Sequence, residues 1–363
     1  MKNSIGTSVI LTLAGESHGS MICAILDGLA PGIPVDEQFI ASRLSLRRPQ
    51  GPADTARREK DAFSIVSGVF EGRTTGAPIT ILIPNEDVRS ADYERTHALA
   101  RPSHADYAAH IKYGGFEDWR GGGHFSGRVT AGIVAAGAIA AAALEAKGIS
   151  IGTHILECAG VKDTPFNPTD PWAQVQALQG MDFPVLSPVR EAMEERILAA
   201  KGELDSVGGI VQTAVCGLPA GVGEPWFGSV EGVLSNALFS IGGIKGVEFG
   251  SGFALAGMKG SQANDAYTVS GGKVLTQTNH SGGVNGGISN GMPLIFSAVV
   301  KPTPSIGRPQ DSVDMSTGEA AQLCIAGRHD PAIVRRVCIV VSSLVAIVLC
   351  DLLALKFGTD YLK

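Results

Sequence analysis

The run 129–147, VTAGIVAAGAIAAAALEAK, limits what this chain can become more than any other segment. Its alanines favour helix strongly, and almost every side chain is small. A helix with so little side-chain volume on every face buries apolar surface only if its neighbours come close from several sides. The run therefore predicts a central helix covered from more than one direction.

A second apolar run, 337–355 (VCIVVSSLVAIVLCDLLAL), has a membrane-like look. Only residues 337–350 are uncharged before Asp351, which falls short of the ~20 residues a bilayer span needs. A buried helix beginning at Pro331, with Arg335 and Arg336 in its early turns, fits the pattern better. The N-terminus, MKNSIGTSVILTL, has neither the long apolar stretch nor the cleavage pattern of a signal peptide, so no membrane association is expected.

Apolar runs predict strands at 8–13, 22–26, 64–70, 77–83, 209–216, 252–258 and 292–300. Helical spacing predicts helices at 36–47, 104–113, 129–147, 187–201, 229–240 and 331–356. Pairs of strands alternate with single helices without a steady βαβ beat, which favours α+β over a doubly wound parallel sheet. No fixed-period repeat and no low-complexity linker divides the chain, so 1–363 reads as a single domain. The segments 84–103 and 241–291 are polar and Gly-rich and read as long loops, which in a compact domain usually carry function.

Glycine is the compositional outlier: 47 of 363 residues, roughly twice the usual share. Net charge is −6 and the pI is near 5.8, so nothing global favours nucleic acid or an anionic membrane. The six cysteines (23, 158, 216, 324, 338, 350) are far apart with no C-x-x-C pair, and read as buried thiols of a reducing, cytoplasmic compartment.

Residues 15–19, Gly-Glu-Ser-His-Gly, spell the G-x-S-x-G of a hydrolase nucleophile elbow, with Ser17 as candidate nucleophile. That elbow follows a central strand, yet only one strand precedes this motif, and His329 and Asp330 as triad partners are what any long chain offers. A metal site at His104-Ala105-Asp106, with His97 and His110 nearby, is a second candidate, unsupported by any H-E-x-x-H or clustered Cys/His set. His97 and His154 read as structural.

The cations are more informative. Arg43, Arg47, Arg48, Arg57 and Arg58 follow the first helix; Arg101, Lys112, Arg120 and Arg128 surround the second His group; Lys301, Arg308 and Arg328 come later. In an acidic protein this grouping suggests a ligand with several phosphates or carboxylates, although RREK at 57–60 reads more simply as surface charge. WRGGGHFSGR (119–128) runs into the small-residue helix, where backbone N–H groups can hold an anion, and NHSGGVNGGISNG (279–291) is a second Gly-rich segment. Together they point to a phosphorylated cofactor beside an anionic small-molecule substrate.

These motifs have company. AGESHG (14–19), RPSHADY (101–107), WRGGGHFSGR (119–128), DSVGG (205–209), NHSGGVNGGISNG (279–291), KPTPS (301–305) and GRHDP (327–331) together resemble the chorismate synthase family, over about residues 5–356. The resemblance implies a β-α-β sandwich with central helices packed between antiparallel sheets, in a homotetramer. It implies conversion of 5-enolpyruvylshikimate 3-phosphate to chorismate and phosphate, an anti-1,4-elimination that closes the shikimate pathway and needs reduced FMN.

Residue by residue, the resemblance makes His18 the acid at the leaving phosphate, places His104 beside the flavin, and gives Asp330 a part in proton removal. It implies FMN contacts from His124, Phe125, Ser126, Asn236, Ala237, Gly286, Lys301, Pro302, Thr303, Pro304, Ser305 and Arg328. Ser17, Arg47, Arg48 and Arg128 would meet substrate, Arg47 also matching a position associated with NADP. The chain departs from many relatives at Gly51-Pro52-Ala53-Asp54, where a basic residue is missing, at His124 for Arg, and at Ser342 for Glu. The first departure leans toward an external flavin reductase, with NADPH at most an indirect reductant. The remaining alternatives are a hydrolase built on Ser17 and a non-catalytic flavin- or phosphate-binding scaffold.

Overall fold

The computed structural model describes residues 2–51, 53–54, 59–86, 97–325 and 330–363. Two five-stranded antiparallel sheets enclose two long helices. The first sheet contains β1 (Ser4–Ile5), β2 (Ile10–Ala14), β3 (Met21–Asp27), β4 (Ser64–Ser67) and β5 (Ile79–Pro84), ordered β1-β2-β3-β5-β4. The second contains β6 (Ser150–Cys158), β7 (Val161–Lys162), β8 (Gly209–Cys216), β9 (Ile244–Phe249) and β10 (Leu294–Val300), ordered β9-β10-β8-β6-β7. The helices are α1 (Glu37–Arg47), α2 (Asp106–Tyr113), α3 (Thr130–Glu145), α4 (Arg190–Gly202), α5 (Val230–Phe239) and α6 (Val334–Phe357).

α3 packs on β3 and β5, α6 on β6 and β8, and the two helices pack on each other. This is the expected α+β sandwich. The closeness predicted from the small side chains is measurable. A Cβ placed on Gly132 would touch Leu13 and Ala24 of the first sheet, and one on Gly137 would lie 2.5 Å from the Ser343 carbonyl oxygen of α6. Helix backbones approach this far only where a side chain is absent.

Gly127–Glu145 and α6 are each long and apolar enough to cross a membrane, and both are buried between the sheets. α6 starts at Val334, three residues later than Pro331. Its buried Asp351 accepts backbone N–H groups from Thr7, Ser8 and Val9, fixing the chain before β2 against the helix. Ser342, at the position where relatives often have Glu, accepts a hydrogen bond from the buried Arg43.

Several local expectations fail for identifiable reasons. Residues 252–258 form a 3-10 turn, Gly252–Gly257, rather than a strand, because Gly252 adopts φ 48° beside the Glu248 carboxylate. Run 64–70 breaks at Gly68 (φ 81°) into two strands, since a Cβ there would strike the backbone of Ile79. Segment 241–291 is not one long loop: it carries β9, a helical turn and two short hairpins. β6 escaped notice because polar Thr153 and His154 interrupt its apolar pattern, yet both are buried and bonded, His154 to Asp163 at 2.9 Å. All six cysteines are free thiols, but Cys324 is exposed and Cys23 only half-buried.

Candidate active site

Residues 15–20 turn β2 back into β3, so the G-x-S-x-G sequence sits in a strand–turn–strand hairpin. A nucleophile elbow needs a strand–turn–helix, which this is not. Ser17 is fully buried and its backbone N–H donates to the Gly123 carbonyl, while His18 borders the large cavity of the molecule. Asn85, just past β5, donates to the carbonyls of Glu16 and Gly19 and so fixes the turn that carries His18.

The glycine run before α3 lies directly against that turn. Gly121, Gly122 and Gly123 take φ values of 58°, 83° and 53°, left-handed backbone that other residues rarely adopt. A Cβ on Gly121 would press into the His18 imidazole and the Ser17 hydroxyl; one on Gly122 would touch the His104 ring at 3.4 Å. Two histidines far apart in sequence thus flank one glycine loop. His124 Nδ1 lies 2.9 Å from the Gly15 carbonyl, a bond that places the proton on Nδ1 and closes the loop onto the hairpin. Ser126 caps the 3-10 turn that leads into α3.

His104 is oriented by Asp106, which lies 2.6 Å from Nδ1. Arg101 holds the same carboxylate through Nε, Nη2 and its backbone N–H. Burial pushes the Asp106 carboxyl up, but the hydrogen bonds and charges of Arg101 and His104 outweigh it and hold it well below the usual carboxylate range. An ionised Asp106 requires the proton on Nδ1 and leaves Nε2 toward Gly122 and the cavity. The carboxylate therefore orients the imidazole, and no group of three or more His, Cys, Asp or Glu side chains suited to a metal ion occurs among the described residues.

The far wall comes from the exit of β10. Lys301 donates to the Ser103 carbonyl and Arg101 Nη1 reaches the Ser305 hydroxyl, so the 301–305 segment meets the 101–106 loop. Ser206 of DSVGG holds this segment by donating to the Thr303 carbonyl. The Thr303 hydroxyl is buried without a partner among the described residues. Burial, and then the charge of Lys245, lower the Lys301 pKa. Asp330 pairs with Arg336 through one oxygen, while its other oxygen, buried, has no partner among the described residues.

Ser17, Asn85 and Ser206 stand behind the wall, whereas His18, Gly121, Gly122, His104, Asp106, Lys301, Thr303 and Asp330 border a single cavity of about 1390 Å³. That exceeds the ~300–1,000 Å³ of an ordinary ligand pocket and leaves room for two ligands side by side. Lys245 and Lys301 mark one cationic region; Arg47, Arg48 and Arg128 mark another at the end of α1. His18, His104, His124, Phe125, Ser126, Asn236, Lys301–Ser305 and Asp330 all line it. Ala237 instead packs into the core, and Gly286 sits in the turn of the Val284–Asn285/Ile288–Ser289 hairpin; neither borders the cavity. Arg328, Arg57, Arg58 and residues 87–96 of the 84–103 segment lie outside the described residues.

Sequence reasoning left other contributors aside. His97, taken as structural, lines the cavity and stacks on Trp119 at 4.8 Å. Glu59, within the presumed surface run, is buried beside Arg128. Asp61 meets Arg47 and Arg128 in the interior. Asp106 had a signal, the H-x-D spacing; Asn85, Glu59 and Asp61 had none.

A family model described as chorismate synthase matches residues 9–354. The chain belongs to the chorismate synthase family. As a member it is an enzyme of the carbon–oxygen lyase type. Curated relatives named chorismate synthase include one from Chitinophaga pinensis, 45% identical over 354 residues and covering 98% of this chain and 97% of the relative. Another, from Methanocella arvoryzae, is 43% identical over 357 residues, covering 96% and 93%. A crystal structure titled as that of chorismate synthase superposes with a TM-score of 0.76 at 28% identity, covering 97% of this chain and 94% of the solved one.

Proposed function

We propose that this enzyme converts 5-enolpyruvylshikimate 3-phosphate to chorismate and inorganic phosphate with the help of reduced FMN. The observation that carries the reading is the seating of His18 and His104 on either side of one glycine loop, in a cavity with two cationic regions. The cavity fits a flavin phosphate in chemistry as well as size: lysines, an unmatched buried hydroxyl at Thr303, and Phe125 and Phe239 as apolar wall. His124, Phe125, Ser126, Asn236 and Lys301–Ser305 would hold the cofactor. Reduced FMN, when bound, supplies electron density to the allylic C3–O bond and regains it, so that the elimination runs without net redox change.

The chain's own residues do the rest. Arg47, Arg48 and Arg128 form the cationic region for a substrate that carries a phosphate and two carboxylates. His18 donates the proton that lets phosphate leave as a weaker base. His104, held by Asp106, presents Nε2 for a proton that balances the charge of the reduced cofactor. Asp330, whose second carboxylate oxygen has no partner among the described residues, would assist proton removal at N5 of the flavin. Exclusion of water from the cavity when both ligands are bound would protect an oxygen-sensitive cofactor and strengthen each charge interaction. The same reading carries a cytoplasmic homotetramer whose flavin is reduced by a separate reductase, with NADPH at most its indirect source.

The test mixes anaerobic protein, reduced FMN and the enolpyruvyl substrate, and follows the conjugated diene together with free phosphate. Diene and phosphate in equal amounts are expected. Folded protein that yields neither overturns the reading.

A further inference from the structure

Two buried arginines that line the cavity, Arg47 and Arg128, are held by one acidic side chain. Asp61, whose carboxylate is wholly shielded from solvent, accepts from Arg47 Nη2 through both oxygens at 3.2 Å and pairs with Arg128 Nη1. Arg48 Nε stands 3.9 Å away. The rest of Arg128 is fixed too: Nε donates to Asn85 Oδ1 and Nη2 to the Pro84 carbonyl, with Glu59 at 4.0 Å. Three guanidiniums brought together behind a pocket wall repel one another and would splay toward solvent unless a carboxylate sits among them. Asp61 does this from a left-handed backbone conformation, φ 51°, which its surroundings must enforce.

Resting on the functional reading above, we propose that Asp61 is the positioning residue of the anion site: its enclosed carboxylate presents Arg47 and Arg128 side by side as a preformed receptor for the substrate's anionic groups. Asn85 links this receptor to the acid, because one face of its amide holds Arg128 and the other the turn carrying His18. The carboxylate also offsets part of the positive charge, so an incoming anion meets fixed geometry rather than a loose surplus of cations. Preformed geometry lowers the ordering cost of binding and shows in affinity first.

Asp61→Asn and Asp61→Glu test this, read by steady-state kinetics and by calorimetric binding of inorganic phosphate to the unreacting enzyme. Asp61→Asn keeps the shape and removes the charge; Asp61→Glu keeps the charge and shifts it by one methylene. Expected for both is a KM at least about tenfold higher with kcat changed less, and phosphate affinity weakened by a similar factor. Variants that stay folded with KM and phosphate affinity within twofold of wild type overturn the proposal. So does failure of both to fold, which would make Asp61 part of the scaffold only. If wild-type enzyme binds phosphate but forms no diene, the functional reading fails while the binding comparison still decides the role of Asp61.

Discussion

His18 and Gly121 are so close that a Cβ built on the glycine would lie 2.6 Å from Nε2 of the imidazole. The contact couples the N-terminal hairpin to the loop before α3, and it makes the absence of a side chain at 121 a condition for the placement of His18. Gly121→Ala is expected to displace His18 and lower kcat by at least about 100-fold, the scale of one lost acid–base group. The left-handed backbone adds a stability cost of about 1–2 kcal/mol. Turnover measured beside thermal unfolding checks this, since stability loss alone would leave kcat of the folded fraction intact.

The roles of Ser17 and His18 separate cleanly by substitution. His18→Ala should lose most turnover while the fold persists. Ser17→Ala should retain substantial activity, because the strand–turn–strand hairpin that carries Ser17 is not the strand–turn–helix that a nucleophile elbow requires. Complete loss in Ser17→Ala with a trapped covalent adduct would restore the hydrolase reading.

Asp106→Asn should depress kcat by about 10²-fold or more through the wrong imidazole tautomer at His104. The sign of the pH effect follows from the depressed pKa. A carboxyl held below its ordinary range supports the site at all pH above that range, and loses its effect only as pH falls through the depressed value. Between pH 5 and 9 the defect of Asp106→Asn is therefore expected to be constant. A pH–rate profile whose ratio to wild type changes across that window would show that Asp106 titrates there.

Asp163 ties the 163–187 segment to β6. It bonds His154, the backbone N–H groups of Leu186 and Ser187, and the Ser187 hydroxyl. Burial raises its pKa, but the bonds from His154, Ser187 and the backbone prevail and lower it to about 2. Its contribution to stability is complete above the ordinary carboxylate value of about 3.9 and is lost as pH falls from there through about 2. Asp163→Asn should cost roughly 1–3 kcal/mol near neutral pH and flatten the stability curve in that acid window, as denaturant titration would show.

Gly137→Ala sets two magnitudes against each other. Replacing glycine inside a helix gains about 1 kcal/mol from propensity. The new methyl, however, would stand 2.5 Å from both Cβ and the carbonyl oxygen of Ser343, so α3 and α6 must separate, at about 1–3 kcal/mol or more. Net destabilisation is expected, and a rise in the unfolding midpoint would contradict the close packing.

The central helix was legible from 129–147 because small side chains at that density let backbones approach from several sides, whereas the sandwich around it was implied only by the family resemblance. The strands at 22–26, 209–216 and 292–300 were legible because each is mostly apolar, with Thr213 and Ser297 as isolated buried polar residues. β6 was not, since the hydrogen bonds that make His154 and Thr153 acceptable in the interior come from Asp163 and Thr213, remote in the chain. In the same way His97 read as an ordinary histidine until the fold set it against Trp119 at the cavity wall.

By itself the amino-acid sequence determined the central helix, the α+β class, the Gly-rich loop before α3 and the set of histidines and cations, because these depend on side-chain size, periodicity and local backbone freedom; the layering came only through the family resemblance. Only the tertiary structure decided which of those groups act together. It showed G-x-S-x-G to be the turn of a strand–turn–strand hairpin, assigned Asp106 to orient His104, and set Asp61 among three arginines. Charge pairing inside a protein depends on exclusion of water and on contacts between distant segments, and neither is written in local spacing.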